Sequence, residues 1–227
     1  MRQPWITVET VATPEGALQL QRRGERDFTI SIAGRVLMAS AHTHSEAAVA
    51  EVACVPLRDR AVPRVLMGGL GLGFTLRAAL DALPPGAEVL VVELNSAVVD
   101  WVRGPAAAAA GGTLVDPRVR VRVGDVAAEL HRRAATPTEP RLDAVVLDLY
   151  VGPPEPPARG EDPLYGSAIL EATRAALAPG GRLAVWGEAA SPSYERRMRA
   201  AGFLTTVLRA KGGRGPSHAI HLGIRRE

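Results

Sequence analysis

The sequence is poor in several things whose scarcity narrows its chemistry. Cys54 is its one cysteine among 227 residues, so the chain supports neither an internal disulfide framework nor a cysteine-based metal site. Lysine is nearly missing too: Lys211 stands alone, and arginine supplies the rest of a positive charge that exceeds the negative by only three. Aromatic residues make up 4%, and no run of basic residues is interleaved with them, which argues against nucleic acid as a partner. Beside abundant Ala, Gly and Pro, the arginine bias reads as base composition. No stretch reaches the roughly 18–20 apolar residues needed to span a membrane. The opening MRQPWITVET also lacks the apolar centre of a signal peptide. A soluble, cytoplasmic protein is expected. His42, His44 and His218 stand at no spacing with carboxylates that would hold a metal, so none is expected.

What is present suits one α/β unit with a small appendage: 47% of the residues are hydrophobic, ample for a core. Up to about residue 38, apolar and polar residues alternate between turn signals at Pro14-Glu15-Gly16 and Arg23-Gly24-Glu25, the pattern of a small antiparallel β unit. Thr43 followed by Glu46 has capping-box spacing and predicts a helix to about Cys54. From residue 64 the pattern changes. Strand-like runs at 64–67, 88–93, 119–123, 144–149 and 182–186 alternate with helical segments near 74–83, 96–103, 126–134, 166–178 and 193–201, which implies a parallel sheet covered on both faces. Two further strands, 205–208 and 219–224, are joined by KGGRGPSH as a terminal hairpin. We therefore expect residues 1–55 to form the small β unit plus helix, and 56–227 a Rossmann-like domain.

The stretch VLMGGLGLGFTL, residues 65–76, places four glycines in six residues between a strand and a helix. That is where open α/β sheets bind ligands. Counting from Gly69, Phe74 occupies the place of the third glycine of G-x-G-x-x-G, and there is no G-x-x-x-x-G-K-[ST], so neither a dinucleotide nor a P-loop fits. The remaining G-x-G-x-G suits a ligand without pyrophosphate, or a tight turn alone. Three acids then close three successive strands. Glu93 ends EVLVVELN, where a carboxylate accepts from a ribose diol. Asp125 ends VRVRVGD, placed to accept from an adenine amine or to cap the next helix. Asp148 follows LDAVVL. All three would face one crevice.

These segments, with VVELNSAVVDW, DPRVRVRVGD, LDAVVLDLYVGP and LYGSAILEATRAALAPGGRLAVW in order, resemble the class I AdoMet-dependent transferase fold and, within it, the spermidine synthase-like branch. The resemblance implies an α/β Rossmann-like sheet, mostly parallel with a C-terminal antiparallel hairpin, preceded by a small antiparallel β unit. It implies S-adenosyl-L-methionine, or its decarboxylated form, as donor. Gly69, Gly71, Gly73, Glu93, Leu94, Gly124, Asp125 and Val126 would surround the nucleoside, with Glu93 on the ribose and Asp125 on the adenine. Asp148 would hold the acceptor amine, and a homodimer would be in keeping with the family.

The chain departs from the polyamine synthases at the fourth parallel strand. Their D-S-S-D-like run is here Asp148-Leu149-Tyr150-Val151, without the second acid, and their Gln- and Tyr-containing elements are not recognisable around residues 36–46. A polycation needs several carboxylates to offset its desolvation. Methyl transfer to an amine or similar small nucleophile is therefore the leading expectation; aminopropyl transfer is the alternative, and a non-catalytic nucleoside-binding protein a third. Asp148 is the expected proton acceptor with Tyr150 beside it, and His42, His44, Glu46 and Tyr165 are candidate acceptor-pocket residues, the histidines and tyrosines having surface exposure or ordinary packing as their alternative. The proline-rich VGPPEPPARGEDPLYG is expected to form a cover over the acceptor or a surface excursion. KGGRG is a solvated turn or a contact for an anionic acceptor group.

Overall fold

Alternation over the first forty residues becomes four antiparallel strands, β1 (Ile6–Thr13), β2 (Gly16–Arg23), β3 (Asp27–Ile32) and β4 (Arg35–Ala39), paired in chain order as one small sheet. The structure is a computed structural model and describes residues 3–41, 43–154, 162–210 and 217–226. Leu18 and Leu20 on β2 and Phe28, Ile30 and Ile32 on β3 are buried. They pack in one cluster with Val49 and Ala50 of α1 (His44–Cys54), so the sheet has a dry face against the rest of the protein. Burying each such side chain contributes on the order of 1.5–3 kcal/mol. A polar tie supplements this packing: the buried Trp101 indole N–H donates to Glu9 of β1 at 2.6 Å.

Strands and helices alternate thereafter: β5 (Arg64–Gly68), α2 (Phe74–Ala82), β6 (Glu88–Glu93), α3 (Ser96–Arg103), β7 (Val119–Val123), α4 (Val126–Ala134), β8 (Leu142–Leu147), α5 (Ser167–Ala176), β9 (Leu177–Gly187), α6 (Pro192–Ala200), β10 (Phe203–Ala210) and β11 (His218–Arg225). The order in this second, seven-stranded sheet is β10-β11-β9-β8-β5-β6-β7. β7, β6, β5, β8 and β9 run parallel; β11 pairs antiparallel with β9 and β10 with β11. The mostly parallel α/β sheet, its terminal hairpin and the separate small antiparallel sheet are as expected from the sequence.

Two local readings change. β8 starts at Leu142, where every residue to Leu147 is buried, and stops one residue before Asp148, which therefore sits in the loop beyond the sheet. The Ala-Pro-Gly-Gly run at 178–181 lies within β9, alongside a register irregularity between Leu142 and Ala144 on β8. The order in which strands are added reverses at β5: the chain proceeds from β5 through β6 to β7 on one side, then crosses to β8 and β9 on the other. Between the carboxyl ends of β5 and β8 the outgoing loops diverge and leave a crevice, the general position for ligands in open α/β sheets.

Candidate active site

At that crevice lies a cavity of about 340 Å³, walled on one side by the carboxyl ends of β5, β6 and β8 and on the other by Leu18, Ile30 and Ile32 of the small sheet. Its volume is in the range of small-molecule sites. The loop after β5 is built by backbone conformations that exclude side chains. Gly69 and Gly71 have φ of 88° and 51°, and a Cβ on Gly69 would stand 2.4 Å from the Asp148 carbonyl oxygen. Both glycines line the cavity. Gly73 does not: with φ of 83° it precedes α2 and turns toward Ala110 and Thr113, so its place in the donor pocket is taken by its role at the helix start.

Glu93, buried at the end of β6, accepts the Leu70 N–H at 2.8 Å and the Asn95 N–H at 2.9 Å. It thereby ties the glycine loop to the next strand while lining the cavity. Burial pushes its pKa up, against the lowering effect of those backbone donors. Leu94, Gly124, Asp125 and Val126 also line the cavity. Asp125 does cap α4, one oxygen accepting the Ala127 N–H at 2.8 Å. A carboxylate has room for further donors on its second oxygen.

Asp148 is only partly exposed, and its main-chain N–H donates to the Gly68 carbonyl at 3.1 Å. Burial, together with the like charge of Glu46, raises its pKa to about 7, while a hydrogen bond from the Thr75 hydroxyl works in the opposite direction. A carboxyl group near half-ionisation at neutral pH is what a general base requires. Glu46 does not cap its helix: Thr43 makes no side-chain cap bond, and the Glu46 carboxylate lines the cavity while accepting the Ser45 hydroxyl at 2.6 Å.

Tyr150 lines the cavity with its hydroxyl given to Glu15, which raises the phenol's pKa. Tyr165 lines it too, but its buried hydroxyl donates to the Val151 carbonyl at 2.6 Å and its ring packs edge-on against Tyr194, so it braces the loop after β8. His44 is exposed at the start of α1 and takes no part in the cavity. His42, residues 155–161 of the proline-rich loop and the turn at 211–216 lie outside the described residues.

Sequence reasoning missed Glu15, Thr75 and Asp162. Glu15 comes from the β1–β2 turn, and Asp162 accepts the Leu164 and Tyr165 N–H groups before α5; both line the cavity. In sequence each is one more acid in a turn. With them, six carboxylates line the cavity, those of Glu15, Glu46, Glu93, Asp125, Asp148 and Asp162, and no arginine, lysine or histidine does among the described residues. The expectation of few acids around the site is thereby corrected. The run after Asp148 lacks a second acid, while carboxylates from remote segments line the same cavity. Among the described residues no three His, Cys, Asp or Glu side chains are grouped as a metal site would need. No described helix is long and apolar enough to cross a membrane.

Comparison with solved structures bears on this architecture directly. A spermidine synthase in complex with the transition-state analogue AdoDATO superposes with a TM-score of 0.72 at 15% identity, over 96% of this chain and 72% of that one. The spermidine synthase from Thermotoga maritima gives 0.71, with the same identity and coverage. The fold is that of the spermidine synthases. Curated relatives agree with it: the polyamine aminopropyltransferase of Mycobacterium tuberculosis is 36% identical over 129 residues, 56% of this chain and 23% of that protein. The polyamine aminopropyltransferase of Korarchaeum cryptofilum is 36% identical over 86 residues, 38% of this chain and 25% of that protein. The matched stretches span about a quarter of the length of these curated relatives. No protein-family model matches the chain. These curated relatives are aminopropyltransferases by name and these structural neighbours spermidine synthases, so methyl transfer, the leading expectation from sequence, finds no support in them.

Proposed function

We propose that this chain transfers an aminopropyl group from decarboxylated S-adenosylmethionine to a cationic amine acceptor of the polyamine type. The observation that carries the reading is the charge of the cavity: six carboxylates and no cationic side chain among its described lining residues. S-adenosylmethionine itself brings a carboxylate that would need a cationic partner or backbone amides. The decarboxylated donor ends in an ammonium group, and a polyamine carries two or more; both fit a surface of acids, which offset their desolvation. The names of the curated relatives and of the structural neighbours favour the same choice.

In this reading Glu93 and Asp125 hold the ribose and the adenine, and the glycine loop lets backbone approach the nucleoside. The sulfonium carries its own leaving group, so alignment does most of the work. The acceptor nitrogen's lone pair forms a bond to the propyl carbon as that carbon's bond to sulfur breaks. The bonding pair stays on sulfur and leaves a neutral thioether. The proton lost by the amine goes to Asp148, whose pKa of about 7 suits that transfer.

The test offers the purified protein decarboxylated S-adenosylmethionine or S-adenosylmethionine with a panel of diamines and polyamines, and reads products by mass spectrometry. Aminopropyl addition from the decarboxylated donor is expected. Methyl addition from S-adenosylmethionine, or absence of donor binding by calorimetry, overturns the reading.

A further inference from the structure

We propose that Thr75 is a positioning residue for Asp148, its hydroxyl holding one carboxylate oxygen so that the other is left for the acceptor amine. This rests on the proposed role of Asp148 as proton acceptor. Thr75 is the second residue of α2, in the first turn after Gly73. A threonine there commonly turns its hydroxyl to the local backbone. Here Thr75 Oγ1 donates instead to Asp148 Oδ2, across the crevice between the β5 and β8 loops. A hydroxyl has one proton to give, and this one is committed. Thr75 is 3% exposed, so water competes little for the bond.

The two loops are locked in backbone as well. Asp148 N–H donates to the Gly68 carbonyl, and the Asp148 carbonyl lies where a Gly69 side chain would begin. The main chain thus places Asp148, and Thr75 sets the direction of its side chain.

Charge gives the same hydroxyl a second consequence. Glu46 faces Asp148 from α1 and Tyr165 from the α5 side, and Glu15, Glu93, Asp125 and Asp162 share the cavity with it, without a described cation. Burial and the like charge of Glu46 disfavour the ionised form. Thr75 is the interaction that favours it. Without the hydroxyl Asp148 would hold its proton to higher pH and be unable to accept another at neutrality.

Thr75→Val keeps shape and removes the donor; Thr75→Ser restores it, and Thr75→Ala serves should the valine variant fold poorly. Carboxyl carbon NMR of aspartate-labelled protein follows Asp148 directly, assigned by its loss in Asp148→Asn, with no substrate needed. We expect a midpoint near that of the native protein in Thr75→Ser and one raised by about one pH unit in Thr75→Val. The acid limb of kcat/KM should move with it, lowering the rate roughly fivefold at pH 7, while donor Kd is unchanged. An unmoved midpoint in Thr75→Val and Thr75→Ala, or a serine variant as shifted as the valine one, overturns the inference whatever reaction is catalysed. A shifted midpoint in a protein that forms no aminopropyl product overturns the proposed reaction and leaves the hold of Thr75 on Asp148 standing.

Discussion

Tyr150 gives its hydroxyl to the carboxylate of Glu15, a residue 135 positions earlier in the chain, and so joins the first hairpin of the small sheet to the loop that carries Asp148. One cavity wall is thereby held to the other, and the Arg35–Glu188 pair at 3.1 Å makes a further tie between β4 and the residue after β9. Exposed pairs of this kind add little to stability. The Glu15–Tyr150 link bears instead on the shape and charge of the cavity, which both residues line.

Glu15→Gln and Tyr150→Phe should therefore act on the acceptor. With the reaction proposed above, KM for the amine is expected to rise severalfold in each, with donor Kd changed less than twofold. Steady-state kinetics beside donor calorimetry checks this. A parallel loss of donor affinity would show that the Glu15–Tyr150 link shapes the whole cavity.

Asp148→Asn retains the size of the side chain and removes the proposed proton acceptor. Turnover should fall by at least about 100-fold, within the range of lost general-base catalysis, with donor binding spared. Glu93→Ala is expected to do the reverse. It strips a buried acceptor from the Leu70 and Asn95 N–H groups, each worth about 1–3 kcal/mol when left unpaired. Calorimetry should then find donor binding lost, and thermal melting should find a lowered Tm. Equal loss of binding in both variants would refute this division of roles.

The raised pKa of Asp148 has a definite sign in folding. The folded state keeps its proton up to about pH 7, whereas the unfolded chain releases it near 3.8. Between those values the native state binds more protons, so stability falls as pH rises through that window. Glu93 acts in the same direction. The unliganded protein should be more stable at pH 5 than at pH 8, by on the order of 1–3 kcal/mol from Asp148. Urea denaturation at both pH values measures it, and Asp148→Asn should remove most of that difference.

Gly69→Ala tests the backbone approach of the two loops. Its φ of 88° and the 2.4 Å from a new Cβ to the Asp148 carbonyl oxygen predict a loss of at least about 2 kcal/mol and displacement of Asp148, hence of activity. Gly34 has a similar φ of 79° but no atom within 4 Å of a Cβ. Gly34→Ala should cost only about 1 kcal/mol and leave activity intact. Matching losses in the two variants would show that conformation alone, without the contact, sets the effect.

Much of the architecture was legible in the chain, because hydrophobic period and glycine placement are local properties. The strand–helix alternation after residue 64, the bends at Gly69 and Gly71, and the acids at 93, 125 and 148 needed no partner to be read. Gly73 lies outside the cavity lining, a placement not legible in the chain because a left-handed glycine at a helix start and one beneath a ligand look alike in sequence. Thr43 and Glu46 had the spacing of a capping box, yet Glu46 faces the cavity, since spacing does not say which way a first-turn carboxylate turns. Charge distribution was the largest omission. Glu15 and Asp162, from the β1–β2 turn and the segment before α5, were not foreseen, and only tertiary packing brings them into one cavity with Asp148 and with Glu46 of α1. An acid in a turn is ordinarily solvated, and its proximity to another is set by long-range contacts that local pattern does not encode. The glycine bends and the acids at the strand ends thus followed from residue order, whereas the gathering of six carboxylates around one cavity, and the elevated pKa of Asp148, arose from burial and from the like charge of Glu46, brought near by the fold.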